Sequence, residues 1–252
     1  MLQNRFLTKT RAVCVFAALV FLWGGLSCGV SYVASSGYYQ LELLSTRESV
    51  DRVRRMNVLK RFELKAINTI LDAREFAKTL GLHVSDIYTS VALGWKREIW
   101  NVSACDSLEF VPRQWWFPII GHVPYLGFFS EEEAIKEYNK LAEEGLDVYR
   151  RPVGAYSTLG FFDDPILPQM LVWDATSLLN LVFHELTHAT VWLPGSVEFN
   201  ESFANFVGEK ATLHYMEVKY GRLSRTYSET VERYADIRLW RTVLWGLYQD
   251  LN

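Results

Sequence analysis

Cysteine is almost absent from this 252-residue chain, which has three: Cys14, Cys28 and Cys105. Cys14 lies inside an apolar N-terminal run and Cys28 at its end, so the remainder keeps Cys105 alone. That excludes a disulfide framework within the domain and a zinc site built from cysteines. A surplus of positive charge is also missing. With 26 Lys and Arg against 29 Asp and Glu, the net charge is −3, and the cations are scattered among acids. No basic field exists for a nucleic-acid backbone, so nucleic acid is not expected as a partner. Internal repeats and low-complexity linkers are lacking too, and the chain behind its N-terminal segment reads as one domain. Histidine is scarce, with five in all, yet two stand four residues apart in "LVFHELTHATVWLPGSVEFNES", Leu181 to Ser202.

Half of the residues are hydrophobic and 15% aromatic, enough to bury a substantial core and to exclude disorder for most of the chain. The N-terminus stands apart. Arg5, Lys9 and Arg11 are followed by no charged residue until Glu42, with an apolar run from Ala12 to Leu26. That pattern matches the basic and hydrophobic regions of an export signal. Residues 1–34 are accordingly expected to form a signal peptide, a lipoprotein signal or a membrane anchor, and 35–252 the domain. Cys28 after "GGLS" suits lipid attachment, although Gly25 stands where such a signal usually has Leu. The apolar segment Ala12 to Ala34 is also long enough to span a bilayer uncleaved. Every variant places the domain outside the cytoplasm, because the flanking positive charges stay inside.

Along the domain, "RFELKAINTILDAREFAKTLGL" has helical apolar spacing that stops at Gly81. "YTSVALGW" and "EIWNVSAC" read as strands, and "WWFPIIGHVPYLGFF" as strand and turn interrupted by Pro and Gly. "SEEEAIKEYNKLAEEG" reads as a helix capped by Ser130 and Glu133 and stopped by Gly145. "LDVYRRPVGAYS" reads as a strand. Helices are then expected over about 175–192, 197–219 and 224–250. A few strands ahead of a set of helices give an α+β fold, a small sheet packed on several helices.

The two histidines, His184 and His188, fall on one face of a helix, because positions i and i+4 are stacked. They can present two imidazoles to one cation, with Glu185 turned aside toward the attacking water, the arrangement that H-E-x-x-H chemistry requires. The apolar lead-in "LLNLVF" would bury this helix and hold the rings. A catalytic zinc needs a third protein ligand and an open fourth position. Pro194 and Gly195 break the helix, and "VEFNESFANFVGEKA" starts another that can fold back. Glu201 then faces the histidines, flanked by Phe199, Phe203 and Phe206, where an unpaired charge is expensive. Glu198, near the helix start, competes for the role. No histidine stands where the metzincin extension requires one, which leaves a gluzincin pattern of His, His and Glu.

"FHELTHATVWLPGSVEFNESFANFVG", with "AYSTLGFFDDPIL" and "WWFPIIGHVPYLGFF" upstream and more weakly "GYYQLELLSTRESV", resembles the bacterial zinc aminopeptidases known from sequence, many of them lipoproteins. The resemblance covers nearly the whole mature chain. It implies a zincin-like metallopeptidase in which His184, His188 and Glu201 hold Zn²⁺ and Glu185 is the catalytic base. Trp116 and His122 stand where many family members carry cysteines, so a disulfide there is missing. Family members usually continue past the helix that here ends in "LWGLYQDLN", which implies a chain cut short at its C-terminus.

The expected function is therefore zinc-dependent peptide hydrolysis. Exopeptidase action rests on the resemblance alone, since the G-x-M-E-N motif of familiar gluzincin aminopeptidases is absent and endopeptidase action stays open. The competing reading is a membrane-tethered, non-catalytic or regulatory zinc-binding domain. An oxyanion donor is sought in the strand ahead of the zinc helix, whose edge would pair with extended peptide. Pro152 suits an edge, and Tyr156 at its end is the expected donor. His214, Tyr215 and Tyr227 are the downstream alternatives.

Overall fold

The computed structural model describes residues 28–117, 121–155, 158 and 163–251. The chain divides between Ser45 and Thr46. Ahead of that point lies helix α1 (Cys28–Ser45), so the boundary expected at residue 34 falls inside a helix. The apolar run from Ala12 to Leu26 lies outside the described residues. Among those described, no helix is long and apolar enough to cross a membrane.

The unit from Thr46 onward is α+β, as the order of its elements led one to expect. Strand β1 (Glu48–Ser49) and helix α2 (Val50–Met56) lead into α3 (Arg61–Thr79). Gly81, with φ of 76°, follows α3 in the left-handed conformation that Gly adopts without steric cost. Of "YTSVALGW" only β2 (Ser90–Val91) is extended, paired with β1. Its neighbours are held otherwise: Tyr88 and Ala92 donate backbone N–H groups to the carbonyls of Asp164 and Ile166.

Next come β3 (Ile99–Asp106), β4 (Trp115–Phe117), β5 (Gly121–Val123) and β6 (Leu126–Phe128), then α4 (Glu131–Glu143) and β7 (Leu146–Val153). The main sheet has the order β6-β3-β7 and is antiparallel throughout, while β4 and β5 form a separate hairpin. In that hairpin Trp116 and His122 are direct partners. Among the described residues strand β7 is an edge paired to β3 alone, with Pro152 opposite Trp100. Ser130 accepts from the N–H of Glu133 to start α4, and Gly145 at φ 83° ends it. Leu141 and Ala134 on α4 bury against the sheet side that carries Val102, Ala104 and Leu126.

Three helices complete the fold: α5 (Ala175–Thr190), α6 (Val197–Tyr220) and α7 (Arg225–Leu251). Asp174 caps α5 by accepting from the N–H of Ser177 at 3.0 Å. One face of α5 is fully apolar and buried: Leu178, Leu179, Val182, Phe183 and Leu186. Fully burying five such side chains stabilises by on the order of 10 kcal/mol, an upper figure because the unfolded chain is already partly collapsed. Phe183 meets Phe76 of α3 edge-on at 6.1 Å. The histidines thus ride on a helix anchored through its buried apolar face.

Candidate metal centre

Helix α5 ends at Thr190, where Val191 turns to extended backbone, and the chain reverses through Gly195 at φ 77°. Asn200, 2% exposed, ties this turn together. Its amide oxygen accepts from the N–H of Leu193 at 2.9 Å and its amide nitrogen donates to the Leu193 carbonyl at 2.8 Å. Helix α6 therefore returns antiparallel to α5 in a fixed register. Further along, Gly208 lets the two helices close up, since a Cβ there would lie 3.1 Å from the carbonyl oxygen of Asn180.

That register sets Glu201 opposite the two histidines. The Nε2 atoms of His184 and His188 are 3.0 Å apart, and the Glu201 carboxylate lies 3.5 Å from the first and 3.4 Å from the second. A tetrahedral zinc with ligands at about 2.0–2.2 Å separates them by about 3.3–3.5 Å. The observed triangle is close to that size, and its donor chemistry, two imidazoles and a carboxylate, suits zinc. The side chains are graded in burial: His188 is 2% exposed, His184 16% and Glu201 43%. His188 is thus the deepest of the three, and the Glu201 carboxylate lies toward an open rim.

The electrostatics suit a cation at this place. Hydrogen bonding from His184 and then His188 holds the Glu201 carboxyl down to about 2, against the opposing effect of burial. Burial pushes the His184 imidazole down, but Glu201, Glu185 and Asn205 outweigh it and the net shift is upward. Glu185 stands beside this triangle with Oε2 buried and no hydrogen-bond partner among the described residues. A buried carboxylate oxygen left unpaired costs free energy, so its retention points to a role for that atom. The Nδ1 of His188 likewise lacks a partner among the described residues; Trp192 meets the ring edge-on at 5.4 Å instead.

The structure brings together His184, Glu185, His188 and Glu201, and leaves other expected residues apart. Glu198 is exposed in the first turn of α6 and outside the cluster. The reason first given for Glu201 does not hold: Phe199 and Phe206 are 49% and 58% exposed, and Phe199 stacks on Phe203. It is helix register, with no apolar sheath, that places the carboxylate. Tyr156 lies outside the described residues. His214 and Tyr215 follow Glu201 by about 20 Å of helix and pack on Phe76 at 5.5 and 5.3 Å. Tyr227 lies in the first turn of α7, at the end of α6 remote from Glu201. The structure thus places all three away from Glu201.

Several neighbours carried no signal in the sequence. Burial, then the charges of Glu201 and Glu185, raise the Tyr125 phenol above its ordinary value. Tyr125 precedes edge strand β6. Asp164, in the "FDDP" stretch, is 2% exposed; burial pushes it up to about 7, opposed by Thr158 and reinforced by Glu185 and Asp163. Thr158 donates to it from its N–H at 2.7 Å and its hydroxyl at 2.9 Å. Buried Tyr88 is raised well above its ordinary value by burial, then by Glu185 and Asp164. From His184 and Glu185 a cleft of about 360 Å³ runs past Asn205 and Glu209 toward Trp173 and Tyr234.

An α+β domain with a potential metal-binding cluster, set on a helical hairpin at the mouth of a small cleft, is the class of protein these features define. The chain belongs to the family described as "Putative aminopeptidase", which matches residues 31–251. That family is one of peptidases, with peptides as the implied substrates. No curated protein and no solved structure matches the chain.

Proposed function

We propose that the domain is a zinc-dependent peptide hydrolase, an aminopeptidase on a zincin-like fold, held outside the cytoplasm by its N-terminal segment. The observation that carries this reading is the convergence of His184, His188 and Glu201 with Glu185 beside them, in a chain of a peptidase family. His184, His188 and Glu201 hold the zinc. When bound, zinc acidifies a water and polarises the scissile carbonyl.

The remaining work falls to the chain's own groups. Glu185 accepts the proton of the attacking water on its unpaired oxygen and returns it to the leaving amine. The hydroxyl of Tyr156 donates to the carbonyl oxygen as that atom gains negative charge. An edge strand pairs with the extended peptide backbone and aligns the bond for attack. Export and attachment are supported by Arg5, Lys9 and Arg11 ahead of the apolar run, and by Cys28 at its end.

The test is metal analysis of purified protein together with hydrolysis of a mixed peptide library, on wild type and Glu185→Gln. One zinc per chain in both, with turnover in wild type alone, is the expected result, because an amide fills the space but cannot take the proton. Zinc bound with no turnover in wild type would favour a non-catalytic binding domain. Turnover retained by Glu185→Gln would remove the base role.

A further inference from the structure

We infer that the cleft beside the metal centre selects short peptides by a carboxylate lying within about two residues of the scissile bond, and that Arg241 is the group that receives it. This rests on the zinc-peptidase reading and adds a substrate class to it. The cleft is walled by α5 through His184 and Glu185, by α6 through Asn205 and Glu209, and by α7 through Ile237 and Arg241.

The charges along these walls are mostly engaged with one another. Glu209, 15% exposed, accepts from Arg238 at 2.8 Å and lies 3.5 Å from Lys210. Arg233, another lining residue, donates to Asp174 at 2.8 Å and to the Ser177 hydroxyl at 2.9 Å. Glu185 is occupied as the base. Glu185 apart, Arg241 is the one charged lining residue with neither an ion pair nor a hydrogen bond among the described residues. With the Glu185 carboxylate kept for the base, the cleft offers a spare cation and no other spare carboxylate. It is built to bind the acidic end of a peptide; its one other acid is already neutralised and makes a poor anchor for an amine.

The register of the helices fixes where that cation stands. Arg238 pairs with Glu209 and the Tyr234 phenol lies beside Thr212, so α7 runs antiparallel to α6. Three residues beyond Arg238, about 4.5 Å along the axis, Arg241 comes level with Asn205 and Phe206. That is about one helical turn from Glu201. Extended peptide advances about 3.3 Å per residue, so a carboxylate on the Arg241 guanidinium lies about two residues from a bond held at the metal centre. A planar guanidinium grips a carboxylate through two parallel hydrogen bonds, which a lysine cannot reproduce. The volume of about 360 Å³ is near the lower end of ligand pockets, which suits a dipeptide or tripeptide. Ile237, Trp173 and Tyr234 supply apolar wall for its side chains.

The carboxylate can come from the peptide's own C-terminus or from an acidic side chain at the same distance, and three probes separate these: trialanine, trialanine amide, and Ala-Ala-Asp amide. Binding to the full chain carrying Glu185→Gln is measured by calorimetry, with and without Arg241→Gln, and KM is measured on the active protein. Trialanine is expected to bind about tenfold to a hundredfold more tightly than its amide, the range for one charge-assisted contact. Arg241→Gln should erase that preference, and Arg241→Lys should restore only part. Ala-Ala-Asp amide binding like trialanine assigns the site to either carboxylate, and binding like the amide assigns it to the terminus. Equal binding of acid and amide, or a preference that survives Arg241→Gln, overturns the inference. Absence of turnover in wild type would instead strike the peptidase reading, and the binding comparison would still stand.

Discussion

Replacing Asp164 by Asn should change the slope of stability with pH, and the size of the change follows from where the residue sits. Its carboxyl is 2% exposed and is pushed by burial from 3.8 to about 7, with Glu185 and Asp163 adding to the shift. Between about pH 4 and pH 7 the folded protein keeps a proton that the unfolded chain has released. Stability is therefore lost as pH rises through that window and is level above it. The full rise corresponds to on the order of 4 kcal/mol, of which about 2–3 kcal/mol falls between pH 5 and pH 8. Asparagine has no proton to lose, yet its oxygen still accepts from the Thr158 N–H. Whatever Asp164→Asn costs at pH 5, the variant should gain on wild type by about 2–3 kcal/mol on going to pH 8. Urea unfolding of metal-free protein at the two pH values measures this, and the other titrating groups cancel in the difference. A wild-type-minus-variant difference that is flat with pH, or that moves the other way, refutes the assignment of Asp164 as a protonated buried acid.

Other outcomes follow from the site. Glu201→Ala should lower zinc affinity at least a hundredfold while Glu198→Ala leaves it unchanged, read by competition with a chromogenic chelator; the reverse would move the third ligand to Glu198. Asn200→Ala removes both hydrogen bonds that close the α5–α6 turn and should cost about 2–4 kcal/mol in thermal unfolding, with zinc affinity falling as well. Unchanged zinc affinity would show that the hairpin register does not depend on this clamp. Tyr156→Phe should lower kcat about a hundredfold at constant KM and zinc content. A silent Tyr156→Phe with a damaging Tyr125→Phe would move the donor to the phenol that shares the field of Glu185 and Glu201.

Much of the site was written in local sequence. The i, i+4 spacing of His184 and His188 is a property of any helix, and "LLNLVF" ahead of them fixes which face goes inward, so the neighbouring positions of His184, Glu185 and His188 could be read without a fold. The stops at Gly81 and Gly145 and the break at Pro194 and Gly195 were equally local, because they depend on the φ angles that one or two residues allow. Two-residue β2 was overread because its neighbours bond to the Asp164–Ile166 segment, more than seventy residues away in sequence. Glu201 was picked out for a reason the structure does not support. Phe199 and Phe206 face solvent, and Glu201 reaches the histidines because Asn200 clamps the turn and Gly208 lets α6 close on α5. Partnerships between distant segments decided everything else: the nearness of Tyr125 and Asp164 to Glu185, the distance of His214, Tyr215 and Tyr227, and the lone guanidinium of Arg241 in the cleft. Periodicity and turn chemistry act within a few residues and are legible one stretch at a time, whereas burial, charge neutralisation and the meeting of α5, α6 and α7 arise only when the chain is packed.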